Sequence, residues 1–203
     1  MNLTLPLRML AAVAPAMAKG DSRRYLNGAL IQRTTDGVVA VATDGAALVA
    51  AREALSDIAP FPEFILPRDL VLTLLKAGRK VTHFTVSTES VACGGVSYEF
   101  KPIDGKFPHW RKVCVPDTSA MAAAPFDPDV LQVPLLSAQA LVKRQVARYI
   151  SVVVETHTNA SALFTLAGLP DGLSVAGVVQ PRKTDERTPL PPVSNDLASV
   201  TRP

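Results

Sequence analysis

The chain has 203 residues, 48% of them hydrophobic and 19% charged, with a formal net charge of +3 at pH 7. That balance excludes a disordered, charge-dominated chain. So small a surplus also excludes nucleic-acid binding by bulk attraction, so any such role rests on where the charges sit. Its two cysteines, Cys93 and Cys114, fit a reducing compartment better than a disulfide scaffold.

The first twenty residues, MNLTLPLRMLAAVAPAMAKG, contain an apolar stretch with no basic residues before it, and Arg8 and Pro15 interrupt it. It reads as part of the fold rather than as an export signal, and a cytoplasmic location is expected. No segment offers the ~20 uninterrupted apolar residues of a membrane span.

A repeat organises the rest. A short apolar run meets a proline and passes into a helical pattern three times, at Pro6, Pro67 and Pro128, each 61 residues after the last. Proline suits a first helical turn, where its missing N–H would be unpaired anyway. The predicted helical regions are 6–24, 67–80 and 127–148. Asp127 is a candidate N-cap, a simpler role for the Asp127-Pro128-Asp129 triplet than metal binding. Three β-like runs follow each helix: 24–34, 37–45 and 46–55; then 81–88, 91–100 and 107–115; then 149–157, 161–168 and 174–183, with turns at TTDG, STES and LPDG. The expected fold class is α+β, three β-α-β-β-β units with helices on one face of antiparallel sheets. Residues 1–118 would form one complete two-unit domain, 119–183 half of another, and 184–203 a mobile proline-rich tail. A unit this small must pack on its neighbours to bury its faces.

Charge follows the helical regions. They hold Arg8, Lys19, Arg23, Arg24, Arg68, Lys76, Arg79, Lys80, Lys143, Arg144 and Arg148 against Asp21, Asp69, Asp127 and Asp129, which leaves the remainder net acidic. Cations at helix C-termini answer the macrodipole and explain part of this. A surface facing duplex phosphates explains the rest, through sequence-independent, salt-sensitive contacts. Catalytic signatures are missing: there is no G-x-S-x-G, Walker-type loop or H-E-x-x-H, and His83, His109 and His157 stand alone. No enzymatic activity, cofactor or metal is expected.

Four segments in order, RRYLNG, VATDGAAL, ILPRDLV and IDGKFPHWRKV, resemble the middle domain of the β sliding clamp of bacterial DNA polymerase III, over about residues 3–116. FDPDVL and VAGVVQPRK resemble only the closing half of that family's last domain, so the chain resembles a shortened clamp of the sort carried by phages or mobile elements. The resemblance implies the DNA-clamp fold, with basic helices facing duplex DNA and partners such as polymerase docking short linear peptides in a groove. By position that groove would be lined by Leu26, Thr43, Gly45, Leu48, Pro108, Lys112, Val113, Val178 and Pro181. Phe107 and Pro108 can equally build a tight turn and Trp110 fill a core edge. Two departures bear on peptide preference: Ala46-Ala47 replaces the family's His-Arg, and Gln180-Pro181-Arg182-Lys183 its terminal Met-Pro-Met-Arg.

The implied function is a replication processivity factor that encircles duplex DNA and tethers partners. The alternative is a clamp mimic that binds a host clamp, clamp loader or polymerase without enclosing DNA. Family rings contain twelve such units, so four chains of three would close one. The third unit needs cover, either from a neighbouring chain's first unit or from the 184–203 tail.

Overall fold

The computed structural model describes residues 2–56, 58–77, 81–114, 126–156 and 161–181. Each repeat has its helix: α1 (Leu7–Val13), α2 (Arg68–Ala77) and α3 (Pro128–Lys143). The strands are β1 (Leu3–Pro6), β2 (Gly28–Thr34), β3 (Gly37–Thr43), β4 (Ala47–Ala54), β5 (Phe64–Pro67), β6 (His83–Val86), β7 (Ser90–Cys93), β8 (Val96–Glu99), β9 (Ser151–Thr156), β10 (Ala162–Ala167) and β11 (Leu173–Val179). The first two repeats are complete β-α-β-β-β units. Among the described residues no strand precedes α3, and 184–203 lie outside them.

The first two repeats exchange their leading strands. β1 pairs with β6 of the second repeat, and β5 pairs with β2 of the first. This builds one sheet of order β1-β6-β7-β8 and contributes four strands to a second, β5-β2-β3-β4-β11-β10-β9, with every pairing antiparallel. The third repeat joins by pairing β11 to β4, from Leu173 opposite Glu53 to Val179 opposite Ala47. The first repeat thus has partners on β1, β2 and β4 already. Its β2, β3 and β4 are flanked on both sides, while β1 is an edge strand of the four-stranded sheet with β6 on one side only.

The main core lies between the helices and the sheets, and its buried residues come from all three repeats. α1 is its centre. Leu7, Met9, Leu10, Ala11, Ala12 and Val13 are all buried, as a helix apolar all round must be, and α1 packs against both α2 and α3. A second cluster covers the opposite face of the seven-stranded sheet. There Leu30, Val39, Val41, Leu48 and Ile65 pack against Phe107, with Ile103 and Trp110 beside them.

Three expectations are corrected. The first helix ends at Val13, not 24, because Pro15 breaks the pattern into a short 3₁₀ turn at Ala14–Ala16. The run 91–100 is a hairpin, with Gly94 and Gly95 both at positive φ, as a two-residue turn requires. The run 107–115 is no strand where described. Trp110 N donates to Pro108 O and Lys112 N to His109 O, and these local bonds hold Trp110–Val113 as a 3₁₀ turn.

Gly177 sits in the β4–β11 seam, where an added Cβ would meet the Leu48 carbonyl and the ring of Phe164. Gly177→Val is expected to lower stability by about 1–3 kcal/mol in chemical denaturation, the usual cost of overpacking. Ala176→Val, on the exposed face of the same strand, should stay within about 0.5 kcal/mol.

Candidate functional site

Where β3 turns into β4 the backbone is locked by its own side chains. Asp44 Oδ1 accepts from the N–H groups of Ala46 and Ala47, both at 2.8 Å. Thr43 Oγ1 donates to Ala47 O at 2.6 Å and accepts from Gly45 N. Gly45 has φ +97°, a conformation that favours glycine. Gln180 N donates to Ala46 O, so the end of β11 is fixed to the same turn.

Beside this turn lies a pocket of about 250 Å³. Thr43, Gly45, Ala46, Ala47, Leu48 and Val178 line it from the seven-stranded sheet and its turn. Tyr25 and Leu26 line it from the 3₁₀ turn before β2, and Pro108, His109, Trp110 and Val113 from the second 3₁₀ turn. Seven of the nine residues assigned by resemblance therefore meet around one hollow. Lys112 and Pro181 do not line it. Tyr25, His109, Trp110 and Arg23 were not assigned to it, although Tyr25 and His109 stand next to assigned positions in the sequence. Trp110 answers to both readings of its segment: it caps the second core cluster and forms a wall of the pocket. The Arg111 guanidinium lies 4.3 Å from its ring centroid.

The cations assigned to DNA are spread more widely than the sequence suggests. Arg23 lies at the pocket, not on a helix. Its side chain grips Asp21 through Nε (3.0 Å) and Nη2 (2.8 Å). Arg8 forms a two-point ion pair with Glu53, which is only 3% exposed. Arg68 Nη1 donates to Met17 O at 2.7 Å. Arg144 Nη2 donates to Leu75 O at 2.6 Å, and burial pulls its guanidinium pKa down. Each of these four guanidiniums makes bonds within the protein. Arg8, Lys143 and Arg144 nonetheless share a hollow of about 840 Å³ with His83 and Glu53. Lys19, Arg24, Lys76, Lys143 and Arg148 are exposed and form no ion pair among the described residues. Lys19, Arg24 and Arg148 stand outside α1–α3, since α3 ends at Lys143. Arg79 and Lys80 lie outside the described residues.

Interlocked antiparallel sheets with helices on one face and a pocket on the other side define a clamp-fold protein. The sliding clamp of Pseudomonas aeruginosa superimposes with a TM-score of 0.62 at 18% identity, covering 91% of this chain and 67% of that one. The Bartonella birtlesii clamp bound to griselimycin superimposes with a TM-score of 0.62 at 16% identity, covering 90% and 66%. In sequence, the beta sliding clamp of Escherichia coli K12 is 29% identical over 111 residues, 52% of this chain and 30% of that protein. The match thus spans about a third of its relative's length. Residues 5–109, just over half of the chain, match the DNA polymerase III beta subunit, central domain. The chain belongs to the DNA polymerase III beta subunit family.

The Asp21–Arg23 pair gives a pH signature at the pocket. The Arg23 guanidinium, and then its backbone N–H, pull the Asp21 carboxyl from 3.8 down to about 2. A depressed carboxylate pKa stabilises the fold above the unfolded value and loses that contribution as pH falls from 3.8 towards 2. Carboxyl NMR should record this titration, and Arg23→Ala should raise the Asp21 value only part of the way back, because the backbone N–H at position 23 still donates to Asp21 Oδ1.

Proposed function

We propose that the chain is a sliding-clamp platform that holds partner proteins by a short extended peptide in the 250 Å³ pocket and tethers them to duplex DNA enclosed by several copies. It has no chemistry of its own. The observation that carries this reading is the pocket. Its apolar walls, Leu26, Leu48, Val113 and Val178, suit hydrophobic anchors, and its rigid turn limits the ordering cost of binding. Ala46-Ala47 presents less wall than larger side chains would, which favours weak binding. Arg23 and Asp21 place both charge signs at the margin.

Four chains would supply the twelve repeats of a ring. The exposed cations Lys19, Arg24, Lys76, Lys143 and Arg148 are the candidates for phosphate contact. A second reading has a specific observation behind it. Four assigned cations are held by the protein itself, and the exposed face of α3 between Asp129 and Lys143 carries no charge. A clamp mimic that engages clamp-binding proteins without enclosing DNA needs the pocket but not the cations.

Two measurements test these readings. A fluorescent peptide with two spaced leucine or phenylalanine anchors should bind the parent protein, and Leu48→Asp should weaken it roughly 100-fold by placing an unpaired charge against apolar surface. Val113 is half-exposed and its replacement spares the core, so Val113→Asp should weaken the peptide too with folding intact. Absence of peptide binding in the parent overturns the platform reading. For DNA, the variant Lys19→Glu, Arg24→Glu, Lys76→Glu, Arg148→Glu should lose retention on closed circular duplex at least about tenfold and show a shallower salt dependence. Unchanged retention would overturn the phosphate assignment. A parent that binds peptide but is never retained on the circle would establish the mimic.

A further inference from the structure

The third repeat carries apolar side chains into solvent on two adjoining surfaces. On α3, Leu131, Leu135, Leu136 and Val142 are exposed, Leu135 by 52%. On β9, Val153 and Val154 are exposed, Val154 by 50%. Between them runs a groove of about 460 Å³ walled by Leu135, Ala138, Val142, Ile150 and Val152. β9 is also the open edge of its sheet, and open edges beside contiguous apolar surface mark sites of association.

The first two repeats show what occupies these places when a repeat has a sister. The strand after each helix, β2 or β6, is covered by the leading strand of the other repeat, and α1 packs on α2. β9 and α3 hold the corresponding places in the third repeat with no sister among the described residues. In the first repeat β2 and β4 are paired on both sides, and its one free strand edge is the outer side of β1 in the other sheet.

We propose that the sister is the third repeat of a second copy, the two related by a two-fold axis and joined along α3 and β9 to complete one further domain. An interface about a two-fold axis must complement itself, and α3 does. Its exposed positions between the ends are Leu131, Gln132, Leu135, Leu136, Gln139 and Val142, with no charge to repel its copy. Asp129 stands in its first turn and Lys143 in its last. A two-fold axis crossing the helices sets them antiparallel, so each Asp129 faces the other chain's Lys143 and the helix dipoles oppose. The interface needs neither DNA nor peptide, so its failure and that of the proposed function are separable.

Light scattering of the full chain alone at micromolar concentration tests it. The expected mass is two chains or an even multiple. Leu135→Glu should weaken self-association roughly 100-fold by burying an unpaired charge. Asp129→Lys and Lys143→Asp should each weaken it, and the double reversal should restore it, a rescue that mere unfolding cannot mimic. Three results would overturn the proposal: a single-chain mass for the parent, self-association indifferent to Leu135→Glu, or singles that weaken with no rescue. A monomer that dimerises only once residues 184–203 are removed would also overturn it, by identifying the tail as the occupant.

Discussion

The antiparallel pairing of β4 with β11 is the constraint on which the rest of the molecule depends. It carries the third repeat onto the first and extends four strands to seven. It also draws α3 against the flank of α1, which becomes a helix with no polar face to show. The seam tolerates little: Gly177 passes where a side chain would strike the opposing carbonyl, and Glu53 is buried at one end. Arg8, the one polar residue of α1, answers that buried carboxylate with two hydrogen bonds. A buried charge left without such a partner costs several kcal/mol, so Arg8 is tied to the seam rather than free for an outside ligand.

The same logic governs the other cations. Breaking the chain after α1 leaves the carbonyls of Met17 and Ala18 without helical partners, and Arg68 reaches across from α2 to take them. Arg144, just past α3, caps the carbonyl of Leu75 near the end of α2. These guanidiniums stitch one repeat to the next at points where backbone acceptors would otherwise stand unsatisfied. A count along the sequence cannot separate the charge used in that stitching from charge held out for a partner.

Much of the fold was legible because its cues are local. Three prolines at one spacing marked the strand-to-helix junctions, and runs such as GALIQRT and GVVAVAT carried their β-branched and apolar content in plain sight. What escaped depended on contacts distant in sequence or on backbone bonds. FPHWRKVCV alternates well enough for a strand, yet Pro108 and its neighbours satisfy one another in a 3₁₀ turn. The α1 pattern runs on past Pro15 in composition but not in geometry. The pocket was read from resemblance residue by residue; Tyr25 and Arg23 joined it because the short turn before β2 bends back over Gly45 and Gly105, a bend that no spacing rule announces.

The pocket's walls come from far apart in the chain. Leu26 and Leu48 belong to the first repeat, Pro108 and Val113 follow the second, and Val178 is on the last strand. Contacts of such long sequence separation form late, because loop-closure entropy must be met before they reward the chain. A nascent or nicked chain that has not yet seated β11 therefore has no complete pocket, whatever the state of its first two repeats. Under the proposed function, a molecule able to hold a ligand there has, by that fact, already seated its last strand against its first repeat.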